Sequence, residues 1–137
     1  MKPEDYMAKA KRALVSANLL LEAGDCDGAC NRAYYAMFDA AHAALFSFNA
    51  GINPAFTKTH RGLIAAFGEH LVKPGLLPIE LGRSLNQVER IRLLADYTGD
   101  EVDVENTKKA VEQAEVFLSA VKNFCSDDFT SRTCQQE

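Results

Sequence analysis

Between Ala33 and Phe48 the chain holds only Asp39 and His42 among its Asp, Glu, Lys, Arg and His residues. Ala33, Ala36, Ala40, Ala43 and Ser47 recur at spacings of three and four, while Tyr34, Met37, Phe38, Ala41, Leu45 and Phe48 cover the other side. A helix that is apolar nearly all round is one that other elements surround. The small stripe lets a neighbouring helix approach closely, and the large stripe fills a core. This segment therefore predicts the central helix of a bundle, and the remaining sequence has to supply the helices that wrap it.

It does so with apolar residues at three-and-four spacing and no sustained period of two. A first helix is expected from Pro3 to Ala23, stopped by Gly24, with Tyr6, Ala10, Ala13, Ala17, Leu20 and Leu21 as its buried stripe. Asp25 or Asp27 caps the central helix, expected over about 27 to 49 and ended by Asn49-Ala50-Gly51. A third helix is expected over about 58 to 71, before Lys73-Pro74-Gly75, and a fourth from Pro78 to about Tyr97, before Thr98-Gly99. A fifth begins behind Asp103 and carries Val104, Thr107, Val111, Ala114, Leu118, Val121 and Cys125 on one face. The expectation is all-α: an antiparallel bundle of four to five helices in residues 1–125, followed by a polar, flexible tail over 126–137. At 137 residues there is room for one such domain.

Several function classes are excluded at this level. No run of about 18 apolar residues offers a membrane span. The N-terminal stretch lacks an uninterrupted apolar run behind its basic residues, so it does not read as a signal peptide and the chain is expected in the cytoplasm. Cys26, Cys30, Cys125 and Cys134 form no CxxC pair and no zinc spacing, so no metal and no other cofactor is expected, and the thiols are read as reduced.

Fifteen Lys and Arg against nineteen Asp and Glu give a net charge of −4, which disfavours bulk binding to a long polyanion. The charge is uneven. Residues 58–92 hold six basic and three acidic side chains, a net +3, whereas residues 93–137 hold four basic and ten acidic, a net −6. A basic middle offers a small anion a local site.

Within that middle, Thr57-Lys58-Thr59-His60-Arg61 opens a helix with positive groups, against the helix dipole. Either an anion sits there, on free backbone N–H groups and the side chains of Lys58 and His60, or the basic residues pair with acidic neighbours. Arg92 falls on the core-facing stripe of Leu81, Leu85, Val88, Ile91 and Ala95, where a guanidinium must be paired or line a cavity. Asp96, four residues on, is its local partner in either case. On the central helix Arg32, Tyr35, Asp39 and His42 lie along one edge; Arg32 is the member least explained by packing.

Asn31-Arg32-Ala33-Tyr34-Tyr35-Ala36-Met37-Phe38, Lys58-Thr59-His60 and Arg92-Leu93-Leu94-Ala95-Asp96-Tyr97, in this order and register, resemble the HEPN superfamily (higher eukaryotes and prokaryotes nucleotide-binding domain). The likeness is to its prokaryotic branch with R-x-Y-Y-A-x-F, K-T-H and R-x-x-x-D-Y motifs, and it spans about residues 5 to 125. It implies a helical homodimer, often encoded beside a minimal nucleotidyltransferase in toxin–antitoxin pairs. Many relatives are metal-independent RNases whose motif is Arg, four to six residues, then His. Here those positions after Arg92 are Tyr97, Thr98 and Gly99, and no histidine follows His70.

Three readings remain open. In the first, Arg32, Tyr35, Lys58, His60, Arg92 and Asp96 bind a nucleotide or RNA phosphate without cutting it. In the second, the chain is a metal-independent endoribonuclease toxin in which His60 or Tyr97 moves protons and Arg92 stabilises the phosphorane charge. In the third, the bundle is an interaction module with no ligand. The resemblance also implies Tyr97 as an acceptor of nucleotidylation by a partner enzyme.

Overall fold

The computed structural model describes residues 1–49, 51–99 and 101–135, with the side chains at 96 and 127–135 outside the described set. Its described residues are helices and connecting turns with no strand.

The first helix, α1 (Pro3–Glu22), starts with proline where a missing N–H costs nothing, and the Asp5 carboxylate accepts from the Lys2 N–H at 3.0 Å. It ends as the sequence predicts. Gly24 takes φ +83°, while the N–H groups of Gly24 and Asp25 donate to Leu21 O and Leu20 O at 3.1 and 2.9 Å. This is a paired C-terminal cap that only a left-handed residue closes without strain. Asp25 then caps α2 (Cys26–Phe48), accepting from the Gly28 N–H at 2.9 Å.

α2 is the centre of the bundle, in contact with α1, with α4 (His60–Phe67), with α5 (Ile79–Thr98) and with α6 (Val104–Gln135). Its small stripe is sealed: Ala33, Ala36, Ala40 and Ala43 are fully buried, as are Ala10, Ala13 and Ala17 of α1. Tyr34, Met37 and Leu45 of α2, Leu63 and Phe67 of α4, Leu85 and Val88 of α5 and Phe117 and Val121 of α6 complete the core. Each of the larger side chains contributes about 1.5–3 kcal/mol by leaving water. Phe67 meets Phe117 with ring centroids 5.3 Å apart, joining α4 to α6.

The helix expected over about 58–71 is found as α4 and the π turn that continues it, residues 60–72, with a short turn ahead of it. Asn53 accepts from the Ala55 N–H and starts a short turn, α3 (Pro54–Thr57); Thr59 has extended backbone and caps α4, accepting from the Gly62 N–H at 2.9 Å. After Phe67 the helix widens into a π turn, Gly68–Val72, closed by Lys73 N–H donating to Gly68 O at 2.8 Å. The Asn53 and Thr59 caps lie ahead of that helix and set where it begins. α6 also continues past Cys125, where apolar periodicity ends, to Gln135. The expected tail over 126–137 thus begins inside a helix, and its last two residues lie outside the described set.

Candidate functional site

Three helices converge on one phenol. Tyr34 lies in the third turn of α2, the start of α4 places His60 against it, and α5 brings Glu89 and Arg92 from the third side. Tyr34 is fully buried. Its hydroxyl is 2.7 Å from His60 Nδ1, and the Glu89 charge bears on it. The Arg92 guanidinium carbon stands 4.8 Å from the Tyr34 ring centroid, within cation–π range. Tyr35 and Phe38 enclose the imidazole with ring centroids 5.9 and 4.9 Å from that of His60.

The local sequence explains why His60 stands there. Thr59 caps α4 and so sets the direction of its first turn, while Gly62 lets α3 press against that turn: a Cβ at position 62 would overlap the Phe56 carbonyl oxygen. The basic residues that oppose the dipole of α4 are thereby pinned at its first turn rather than relaxed away.

Burial lowers the His60 pKa below its ordinary value, the positive charge of Arg92 lowers it further, and Glu89 opposes both. The imidazole is therefore mainly neutral near pH 7. Tyr34 is pushed the other way, far above an ordinary phenol, first by burial and then by the Glu89 charge, with Arg92 opposing. Together these groups offer a neutral imidazole, a guanidinium cation and a phenol that keeps its proton. No cluster of His, Cys, Asp and Glu suited to a metal ion occurs among the described residues.

The structure brings His60, Arg92 and Tyr35 together and leaves other candidates apart. Lys58 is exposed, two residues before His60. Arg32 is exposed a turn before Tyr35, and its charge bears on Asp39. The edge shared by Arg32, Tyr35, Asp39 and His42 is not one site, because its ten-residue span covers about 15 Å of helix and meets different neighbours. Asp39 and His42 are buried; His42 stacks on Tyr6 of α1 at 4.9 Å, with Nδ1 and Nε2 at 3.0 and 3.1 Å from the carbonyl oxygens of Phe38 and Thr57. Burial holds its pKa down, against those two carbonyls and Asp39. The Asp96 side chain, expected beside Arg92, lies outside the described residues.

Tyr97 is 90% exposed at the end of α5. It lines a groove of about 580 Å³ between α4 and α5 with Arg61, Ile64, Arg90, Leu93 and Leu94, and Glu89 lines the same groove. Arg92 borders a smaller cavity of about 150 Å³ at the first turn of α2, beside Asn31. Sequence reasoning missed Glu89 and assigned Tyr34 to the core alone. The signal available was spacing: Glu89 lies three residues before Arg92, on the same side of the helix.

The chain matches the family model for the HEPN domain over residues 3–124. It is 36% identical to a UPF0332 protein of Gloeobacter violaceus over 90% of this chain and 92% of that one, and 36% identical to a UPF0332 protein of Thermotoga maritima over 90% and 91%. A protein of Methanocaldococcus jannaschii named "Putative toxin" is 34% identical over 82% of this chain and 81% of its own. With an all-helical bundle, and a family match that takes in all three elements meeting at Tyr34, the chain belongs to the HEPN domain family.

Proposed function

We propose that this HEPN protein binds a nucleotide or RNA phosphate at the His60–Arg92 cluster, as a component of a toxin–antitoxin or nucleotidyltransferase-associated system. The observation that carries the reading is the convergence of His60 and Arg92, from two helices, on the Tyr34 side chain. Arg92 supplies a permanent charge and a planar set of donors suited to phosphate, and Tyr35 and Phe38 offer aromatic faces beside it. Lys58 and Arg32 add positive charge at the margin rather than in the cluster. The name of the Methanocaldococcus relative supports the toxin setting.

A second reading, metal-independent RNA cleavage, is favoured by one feature: the lowered pKa of His60 keeps a proton acceptor next to a cation. Incubating a structured RNA with the protein in EDTA, beside Arg92→Ala and His60→Ala variants, separates the readings. The binding reading expects a gel shift without cleavage, and a shift weakened at least about tenfold in Arg92→Ala, corresponding to loss of a charge-assisted contact. Cleavage abolished by either variant establishes the second reading instead. No shift with RNA or nucleotide removes both and leaves an interaction module.

Tyr97 is proposed as the acceptor for a nucleotidyl group from a minimal nucleotidyltransferase, supported by its exposure at the mouth of the α4–α5 groove. Coexpression with such an enzyme is expected to add one nucleotidyl mass that is lost in Tyr97→Phe. An unmodified chain, or a modification that survives the substitution, sinks this assignment.

A further inference from the structure

At His42 two backbone carbonyls face one imidazole. The ring is buried, stacked on Tyr6 of α1 and set edge-on to Phe38 at 4.7 Å. Nδ1 is 3.0 Å from Phe38 O and Nε2 is 3.1 Å from Thr57 O, and a carbonyl oxygen only accepts. A neutral imidazole carries one N–H, so it serves one of the two. The oxygens are not equally in need. Phe38 O already accepts from the backbone N–H four residues on, in the ladder of α2. Thr57 O stands at the end of α3, and no other donor reaches it among the described residues. Thr57 is 2% exposed, and a buried carbonyl left without a donor costs about 1–3 kcal/mol. The proton therefore belongs on Nε2, and Nδ1 keeps its lone pair.

We propose that His42 is a positioning residue: as the Nε2–H tautomer it ties Thr57 to α2 and so fixes the turn that carries Lys58, the Thr59 cap and His60. Thr57 is the buried residue of α3, whereas Phe56 beside it is exposed, so this is where the connection is held to the bundle. The Thr57 hydroxyl is used within the turn, donating to Pro54 O at 3.1 Å, and the tie to α2 runs through the carbonyl. Three residues on, His60 meets the same aromatic ring that His42 meets: Phe38 lies 4.9 Å from the His60 centroid. A shift of Thr57 thus reaches His60 by two routes, the backbone and Phe38. Burial keeps His42 neutral near pH 7; the Phe38 and Thr57 carbonyls and Asp39 of α2 oppose it, and Lys9 of α1 adds to it. The consequence for a ligand rests on the phosphate-site reading above; the tie itself does not.

Long-range proton–nitrogen correlation NMR on the nitrogen-15-labelled protein reads the tautomer directly, at about pH 8, above the ordinary histidine pKa. The wild type is expected to show His42 with a protonated Nε2 and a bare Nδ1. His42→Phe keeps an aromatic ring for Tyr6 to stack on but has no donor for Thr57 O. Its His60 ring signals are expected to move, and the amide hydrogens at the start of α4 to exchange about tenfold faster, as for the loss of one buried hydrogen bond. His42→Gln has a side-chain N–H the same number of bonds from Cα as Nε2, and is expected to restore the wild-type His60 signals. A merely space-filling role predicts the reverse order, with the aromatic variant closer to wild type. A wild-type Nδ1–H tautomer overturns the proposal; so does a folded His42→Phe protein with unchanged His60 signals, or a His42→Gln protein in which they are displaced. None of these readings depends on nucleotide or RNA, so a failure of the binding reading is seen separately, in the gel-shift experiment.

Discussion

At the scale of single residues, two buried or half-buried histidines make the fold sensitive to pH. His42 and His60 both have folded-state pKa values lowered chiefly by desolvation, below the 6.5 of an unperturbed histidine. Above that value both are neutral, folded or unfolded, and contribute no pH dependence. As pH falls through it the unfolded chain takes up protons that the folded chain resists, so stability is lost. Asp39, raised by burial beside Lys9, His42 and Arg32, works in the opposite sense at lower pH. Thermal melts between about pH 7.5 and 5.5 should therefore show a falling midpoint, and His60→Gln should flatten part of that fall. A flat profile in the wild type contradicts the assignment. His60 and Arg92 were legible as candidates from their types and positions, but Tyr34 was not. Nothing in a sequence distinguishes a core tyrosine that only fills space from one whose hydroxyl and ring meet polar groups of two other helices.

At the scale of the element, the short α3–α4 connection carries more of the site than its length suggests. The positive charges at the start of α4 are held there by the Thr59 cap and by the contact of Gly62 with the Phe56 carbonyl, and both fix where His60 points. Gly62→Ala must push α3 away from α4, at a cost of about 1–3 kcal/mol, the range for overpacking a tight contact. The expected result is a lowered melting midpoint together with a changed His60 pKa, measured by NMR, because the imidazole leaves part of its aromatic enclosure. A variant as stable as wild type with an unchanged His60 signal would show that the contact is not required. The sequence placed a helix over about 58–71 by its apolar recurrence; where it begins is decided by the Thr59 cap, a local signal that a periodic count passes over.

At the scale of the whole molecule, the groove between α4 and α5 leaves large apolar side chains uncovered. Leu93, Leu94 and Tyr97 are exposed along it, with Arg61 and Arg90 at its edges. Leu94→Glu should leave the helical circular dichroism and the melting midpoint unchanged, because Leu94 is more than half exposed; a lowered midpoint in thermal melts would show that this side chain is packed. The sequence by itself determined the class and centre of this fold. A nearly charge-free segment of 33–48 can only be stable when wrapped by other helices, and its small and large stripes say how. It also marked the basic middle and the arginine set into an apolar stripe. Only the tertiary structure decided which of the marked residues act together, because His60, Arg92 and Glu89 are brought to Tyr34 by the packing of three helices and not by any spacing along the chain. It likewise separated Asp39 and His42 from Tyr35, which the sequence had placed on one edge. Periodicity records which face of a helix is buried, whereas a site depends on which other helix that face meets.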